Sequence, residues 1–258
     1  MYEKHPVFEP PDDENIKIWR YLDIPKFLWL IEKKSLYFSR CDLLGDPFEG
    51  SLPSSSNQVI FKAYDKKEYA KLFKIDEKDV PEPPSSQILW RNDCYICSFH
   101  MNEHESAALW SIYARAKQGV AIQTTFKKLV DSLKSYKISP VFIGKMKYID
   151  YTRETIDLSN SFLPILYKRK SFEHERELRA VSMPIDELYV PVSPERKERK
   201  PNPPEGVSIP IDVDCFIERI YLAPTTKSWI KELLEAIIKK NGIEKPLEQS
   251  GLDATPIF

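Results

Sequence analysis

The sequence predicts an α+β fold, in which a single domain has a mixed or mostly antiparallel central sheet flanked by helices. Strand-like apolar segments alternate with single amphipathic helices, a pattern typical of mixed α and β domains. Apolar residues make up 42% of the 258 positions, which is enough for a packed core. No internal repeat divides the chain, so we expect one continuous core.

Two proline-rich excursions interrupt this pattern. We predict an N-terminal arm over residues 1–15 and a single α+β domain over residues 16–258, with inserts near residues 51–90 and 184–206. The charges of the second insert balance locally and its prolines disfavour regular structure, which predicts a mobile loop.

The order of the elements follows from the apolar periodicity. Aromatic and β-branched residues predict strands over residues 16–21, 35–39, 93–100, 119–125, 141–151, 207–211 and 216–222. Apolar residues three and four positions apart predict helices over residues 25–34, 103–116, 126–133 and 225–241. Pro25 suits the first turn of the first helix, and Gly242 ends the last one.

The composition disfavours several classes of protein. The formal net charge is −1, so the whole chain gives no electrostatic case for nucleic-acid binding. No stretch approaches the roughly 18 apolar residues of a membrane span, and the polar start lacks a signal segment, which predicts a cytoplasmic protein without membrane partners. The seven glycines form neither a dinucleotide-binding fingerprint nor a P-loop, so a Rossmann or P-loop enzyme is not expected.

The segment from Lys170 to Val181 is chemically the most distinctive. In an extended conformation, Glu173, Glu175, Glu177 and Arg179 would share one face, and the carboxylates would need a cation, a ligand, the arginine or water to offset their repulsion. In a helix, Glu175 and Arg179 would form an ordinary surface ion pair. The apolar residues at the end favour a strand there, with a helical start left open.

A second group of carboxylates follows the second predicted strand. Asp42, Asp46 and Glu49 could bind a divalent cation. In the alternative interpretation, which we favour, Asp46 caps a turn, Glu49 is exposed and no metal is bound. Together with Glu175, Glu177 and a nearby lysine, these residues would instead form a metal-dependent nuclease site.

Several short segments are similar to a known family in their order and spacing. They are Trp19-Arg20-Tyr21, Leu36-Tyr37-Phe38-Ser39, Asp46-Pro47-Phe48-Glu49, Cys97-Ser98-Phe99, Leu109-Trp110-Ser111-Ile112-Tyr113, Glu175-Arg176-Glu177-Leu178-Arg179 and Ile220-Tyr221-Leu222. Over residues 16 to 250 the chain resembles the bacterial family called domain of unknown function 2971. Because the activity of that family is unassigned, the resemblance implies fold and kinship rather than function.

A second resemblance concerns the chemistry of the site. An arginine on an early strand, a serine on a middle strand and Glu-x-Glu on a late strand resemble the arrangement in ADP-ribosyltransferases. The resemblance implies that Arg20 binds a phosphate of NAD and that Ser98 orients the nicotinamide ribose or the late glutamate. It also implies that Glu175 or Glu177 contacts the ribose hydroxyl and stabilises an oxocarbenium-like transition state.

The same resemblance predicts NAD as the cofactor and further residues that bind it. These are Tyr21, Tyr37 and Tyr113, as aromatic partners, and Arg179 beside the glutamates. The predicted function is an enzyme that modifies a protein or nucleic acid, as a toxin or a phage-defence effector. The alternatives are the metal-dependent nuclease and a non-enzymatic protein-interaction module.

Glu177 provides a test of the catalytic interpretation. If it belongs to an active site, burial and a neighbouring carboxylate are expected to destabilise its ionised form. A Glu177→Gln variant would then be at least as stable as the parent.

Overall fold

The fold is known from a computed structural model. It describes residues 1–53, 91–113, 118–157, 160–184, 188–193, 196–200 and 202–254, together with Ser56, Lys67 and Lys78. The described residues form a single α+β domain around a mixed, mostly antiparallel sheet of nine strands, which confirms the predicted fold class. Most of the insert predicted near residues 51–90 lies outside the described residues.

The elements follow one another along the described chain with short connections. The strands are β1 (Lys17–Asp23), β2 (Ser35–Arg40), β3 (Tyr95–Met101), β4 (Gly119–Thr125), β5 (Val141–Lys145), β6 (Lys147–Ile149), β7 (Tyr167–Arg169), β8 (Glu177–Ser182), β9 (Tyr189–Ser193), β10 (Arg196–Arg199), β11 (Gly206–Pro210), β12 (Arg219–Leu222) and β13 (Leu247–Gln249). The α-helices are α1 (Ile24–Lys33), α2 (Ala107–Tyr113), α3 (Phe126–Ser132), α4 (Val213–Phe216) and α5 (Ser228–Lys240). Short 3₁₀ turns cover Cys41–Leu43, Leu163–Leu166, Lys170–Glu175 and Gly251–Asp253.

The main sheet branches at β3. Its strand order is β11-β2-β3-β1-β4-β12-β13, and β8 pairs with both β3 and β5. One edge of β3 pairs with β8 from Tyr95 to His100. The other edge is shared, since β2 pairs at Tyr95 and Ile96 and β1 pairs at His100 and Met101.

This sharing opens a fork in the sheet. Between the two registers, residues Cys97 to Phe99 pair with neither β1 nor β2 on that edge. The backbone groups of a strand need hydrogen-bond partners, so an unpaired stretch inside a sheet requires side chains, water or a ligand to complete it. The fork lies at Ser98, which is the serine of the predicted site.

The two faces of the sheet carry different cores. Ile18, Leu22 and Ile122 belong to the larger hydrophobic cluster, whereas Trp19 and Tyr21 belong to a smaller cluster on the other face. This division follows from the alternation of side chains along β1. The larger cluster is covered by α1 and α5, and the smaller one by α2.

Helix α1 is well specified by its sequence. The Asp23 carboxylate accepts a hydrogen bond from Lys26 N at 2.8 Å, and Pro25 occupies the first turn. The helix buries Phe27, Leu30 and Ile31, each contributing roughly 1.5–3 kcal/mol by leaving water. Lys34 ends it in the left-handed conformation, with φ of 47°.

The structure corrects two of the predicted elements. The segment predicted as a strand over residues 216–222 begins as helix α4, because Asp212 caps that helix by accepting from Cys215 N at 3.0 Å. The insert near residues 184–206, predicted as a mobile loop, contains the antiparallel pair β9–β10 in its described part. The described helices include none that is both long enough and apolar enough to cross a membrane.

The N-terminal residues pack against the main sheet. Val141 N donates to Met1 O at 2.9 Å, and Glu3 N donates to Val141 O at 3.0 Å. Phe8 is buried, and a Cβ added to Gly144 would approach the Phe8 backbone to 2.9 Å. The predicted arm thus lies along β5, with its backbone hydrogen-bonded to that strand.

Candidate active site at the fork of the sheet

Two adjoining cavities meet at the fork. The smaller, of about 170 Å³, is lined by residues of β1, β3, β7 and β8. The larger, of about 750 Å³, lies between β1, β2 and α1. Both cavities are lined by Arg20, Tyr21, Leu44, Gly45, Ser98 and Tyr113. A ligand longer than one ring system can therefore extend from one cavity into the other.

Ser98 and Glu177 are directly joined in the smaller cavity. Ser98 lies opposite Arg179 in the β3–β8 register, and His100 lies opposite Glu177. These side chains therefore point to one face of the sheet. Ser98 Oγ donates a hydrogen bond to Glu177 Oε1 at 2.5 Å. The serine thus fixes the position of the carboxylate from the neighbouring strand.

Arg20 reaches the same point from the other face of β1. Its Nη1 donates to the carbonyl oxygen of Ser98 at 2.5 Å, which gives the unpaired segment of β3 a partner. Its guanidinium carbon lies 5.8 Å from the centre of the Phe99 ring. Among the described residues, no carboxylate forms an ion pair with Arg20. Its remaining N–H donors are available to an anion that enters either cavity.

The acidic run is only partly extended. Lys170–Glu175 is a 3₁₀ turn, Arg176 adopts the left-handed conformation with φ of 39°, and strand β8 begins at Glu177. Glu173 is exposed and does not share the face of Glu177, so the prediction of four residues on one extended face is wrong. The helical start that the sequence left open is present, but without an ion pair between Glu175 and Arg179.

Lys168 connects three glutamates. Its Nζ lies 2.6 Å from Glu175 Oε2, 3.1 Å from Glu177 Oε2 and 3.1 Å from Glu49 Oε1. Burial alone would lower the pKa of Lys168, but the three carboxylates together raise it above its usual value. The ammonium group is therefore charged and lies where a metal ion would have to bind.

Arg179 completes the buried cluster. Its Nε donates to Glu177 Oε1 at 2.8 Å, and its Nη1 donates to Ile165 O at 2.8 Å. Its Nη2 lies 2.9 Å from Glu49 Oε2, which is ion-pair distance without hydrogen-bond geometry. The predicted pairing of Arg179 with a glutamate is confirmed. Because Lys168 and Arg179 together engage Glu49, Glu175 and Glu177, the pairing does not leave one glutamate free.

These cations reverse the expectation for the charge state of Glu177. Burial alone would raise its pKa, but the charges of Arg179 and Lys168 and the hydrogen bonds from Arg179 and Ser98 lower it to about 2. The expected destabilisation of the ionised form is therefore wrong. Three carboxylates face two cations in this cluster, so the wall of the smaller cavity carries one surplus negative charge.

The carboxylates of the loop after β2 have different roles. Asp42 Oδ1 pairs with Arg40 Nε at 2.6 Å. Asp46 accepts from Phe48 N at 3.1 Å, as predicted for a turn, and also pairs with Arg169. Glu49, predicted to be exposed, is only 4% exposed and belongs to the buried cluster. No group of three or more potential ligand residues in the described part of the chain is arranged to hold a metal ion.

The predicted aromatic residues line the cavities in different ways. Tyr21 is buried, and its hydroxyl accepts from Ser106 N at 2.7 Å, which leaves its ring as a wall of both cavities. Tyr37 and Tyr113 are exposed at the larger cavity. Tyr37 contacts Trp29 edge to face, with ring centres 5.5 Å apart. The larger cavity therefore offers several aromatic surfaces to a planar ligand.

Sequence reasoning did not identify Lys168, Glu49 or His100 as residues of the site. Lys168 lies within a basic run, whose local pattern indicates a solvated segment. Glu49 is distant in sequence from Glu177, and its only signal was its place among other carboxylates. His100 follows Ser98 by two positions on β3, so strand alternation would have placed both on one face.

Comparisons with known proteins add no relative. No family model matches the chain, and the search of curated proteins gives no significant match. Both resemblances described above therefore stay predictions from the sequence.

Proposed function

We propose that the protein binds NAD and transfers its ADP-ribose group to an acceptor, in the manner of ADP-ribosyltransferases. The observation that carries this proposal is the meeting of Arg20, Ser98 and Glu177 at the fork, where the serine bonds both the arginine and the glutamate. The structure thus joins in space three residues that are far apart in the sequence.

The charge of the smaller cavity suits the chemistry of this transfer. When the bond between nicotinamide and ribose breaks, positive charge develops on the ribose carbon and its ring oxygen. A fixed surplus of negative charge stabilises that transition state more than the neutral surroundings of a core would. A carboxylate has about four acceptor positions, and Glu177 uses three of them on Ser98, Arg179 and Lys168. One position is left for a ribose hydroxyl.

The two cavities suit the two halves of a dinucleotide. The nicotinamide riboside would lie in the smaller cavity beside Glu177, and the adenosine in the larger one beside Trp29 and Tyr37. The phosphates would then lie at the fork, where Arg20 has free donors for bidentate binding. Ligand cavities of roughly 300–1,000 Å³ are typical, and the larger cavity falls within that range.

The rim of the larger cavity is consistent with a macromolecular acceptor. Its exposed apolar side chains are Tyr37, Leu43, Ile112 and Tyr113. Exposed apolar side chains that cluster at a cavity mouth are typical of interaction sites. We therefore propose that the acceptor is a protein or nucleic acid that docks across this rim.

Calorimetry with NAD tests binding directly. We expect binding by the parent protein and about tenfold to hundredfold weaker binding by Arg20→Lys, since lysine cannot reproduce bidentate contacts to phosphate. Arg153→Lys is the matched control, because Arg153 is exposed and pairs only with Asp150. NADH should bind more weakly than NAD, because its neutral ring loses the attraction of the surplus negative charge.

Release of nicotinamide tests the reaction. We expect Glu177→Gln and Glu175→Gln to lose release in the presence of the acceptor, or of water in its place, while Glu173→Gln keeps it. No heat and no thermal shift on addition of millimolar NAD would overturn the proposal. Equal affinity for NAD in Arg20→Lys and Arg153→Lys would show that the phosphates bind elsewhere.

A further inference from the structure

His100 is a buried histidine at the wall of the smaller cavity. It lies on β3 two residues after Ser98 and opposite Glu177 on β8, so it shares their face of the sheet. Its side chain is among those that line the smaller cavity, and the residue is only 5% exposed. None of the contacts proposed above for NAD uses it.

The hydrogen bonding of His100 fixes the position of its proton. Nδ1 lies 2.6 Å from the carbonyl oxygen of Glu175. A carbonyl oxygen can only accept, so Nδ1 carries the hydrogen. Burial, opposed in part by this hydrogen bond, lowers the pKa of His100 below its ordinary value, which favours the neutral ring. Nε2 then has a free lone pair.

Nε2 has no hydrogen-bond partner among the described residues, although it is shielded from solvent. Buried acceptors without a partner are rare and destabilising, and each requires an explanation. The surrounding wall also consists of acceptors, since Glu175 and Glu177 contribute carboxylates. A ligand group that completes this wall must therefore be a hydrogen-bond donor.

We propose that His100 Nε2 accepts a hydrogen bond from the carboxamide N–H of nicotinamide and thereby makes the site specific for the amide. This inference rests on the function proposed above. The carboxylate of nicotinic acid has nearly the shape of the carboxamide but only acceptor atoms. It would place an anion against the Nε2 lone pair, whereas the amide places a donor there.

Calorimetry with two dinucleotides tests the inference. The probes are NAD and its deamidated form, in which nicotinic acid replaces nicotinamide and the ribose hydroxyls are unchanged. We expect the deamidated form to bind the parent protein about tenfold to hundredfold more weakly. In His100→Gln the ratio should fall several-fold, because a glutamine amide can turn either its N–H₂ or its oxygen towards the ligand. His104→Gln, a change of an exposed histidine just after β3, should leave the ratio unchanged.

The outcomes separate this inference from the function on which it rests. Binding of NAD with equal affinity for the deamidated form would overturn the role of His100 and leave the proposed function standing. A ratio that persists in a folded His100→Gln protein would assign the discrimination to the glutamates and also overturn it. Failure of both dinucleotides to bind the parent protein would overturn the function and this inference together. His100→Phe gives a second test, since it keeps the ring and removes the acceptor, and circular dichroism verifies the fold of each variant.

Discussion

Ser98 Oγ donates to Glu177 Oε1 across the β3–β8 strand pair at 2.5 Å, and Ser98 O accepts from Arg20 Nη1 on the opposite side of β3. One serine therefore uses its side chain and its backbone on two different partners. This double role depends on the fork, because a continuous strand pairing would have occupied the Ser98 carbonyl. The fork thus brings a cation and an anion to one residue without letting them neutralise each other.

Replacement of Glu177 by glutamine should destabilise the protein. The variant loses the ion pairs with Arg179 and Lys168 and leaves buried cations with one carboxylate fewer. Removal of one partner of a buried ion pair typically costs about 3–5 kcal/mol. We expect the free energy of unfolding, measured by urea denaturation, to fall by about 3 kcal/mol.

Glu173→Gln is the control for this change, since Glu173 is an exposed glutamate four residues before Glu177. Its effect should stay within about 0.5 kcal/mol. A Glu177→Gln protein as stable as the parent would contradict the ion-pair network described here. The stability of this variant no longer distinguishes a catalytic from a structural glutamate, because the ion pairs predict destabilisation in either case.

The stability of the parent protein should depend on Glu177 at low pH. The folded-state pKa of Glu177, about 2, lies below its ordinary value of 4.5, so the stabilisation is complete above that ordinary value and is lost as the pH falls through the folded-state pKa. At about 1.4 kcal/mol per pKa unit, roughly 3 kcal/mol is involved. Urea denaturation between about pH 5 and pH 2 should show a shallower loss of stability in Glu177→Gln than in the parent. Parallel curves for the two proteins would refute this contribution.

Three glycine replacements separate backbone strain from crowding. Gly50, next to Glu49, has φ of 67°, and a Cβ there would lie 2.9 Å from Cys41 Sγ and 3.2 Å from Ile165 Cγ2. Gly50→Ala should cost about 2–4 kcal/mol, the sum of left-handed strain and overpacking. Gly242 has φ of 73° in open space, so Gly242→Ala should cost only about 1 kcal/mol.

Gly45→Ala completes this series. No atom lies within 4 Å of a Cβ at Gly45, and its φ is not positive. The replacement should change the free energy of unfolding by less than about 0.5 kcal/mol. Thermal or urea unfolding of the three variants should give the order Gly50, Gly242, Gly45 from most to least destabilised. A Gly50→Ala protein no less stable than Gly242→Ala would show that the loop carrying Glu49 can move.

The fold was largely accessible to sequence reasoning where local signals agree. In β1 and β4 the apolar and aromatic residues indicate strands, and in α1 the cap Asp23 and the apolar stripe indicate a helix. The start of the predicted strand at residue 216 failed because Asp212 caps a short helix there, a signal that the apolar run concealed. A short apolar segment has no periodicity of its own to distinguish the two.

The site was only partly accessible for a different reason. Strand alternation predicts that Glu177 and Arg179 share a face, and they do. The contribution of Lys168 and Glu49 depends on the packing of β7 and the loop after β2 against β8, which no local pattern reports. The same packing lowers the pKa of Glu177 to about 2, against the rise expected from burial and a neighbouring carboxylate.

The sequence by itself determined the α+β class, most of the strands and the order of Arg20, Ser98 and Glu177 along the chain. These features depend on side-chain periodicity and residue type, which act over a few neighbouring positions. Only the tertiary structure decided that β3 is shared between β1 and β2, that Lys168 and Arg179 neutralise most of the buried glutamate charge, and that His100 keeps a free acceptor. Those features depend on contacts between segments 50 or more residues apart, such as Lys168 with Glu49 and Ser98 with Glu177. Their energies depend on burial and charge, which the chain acquires only when it folds.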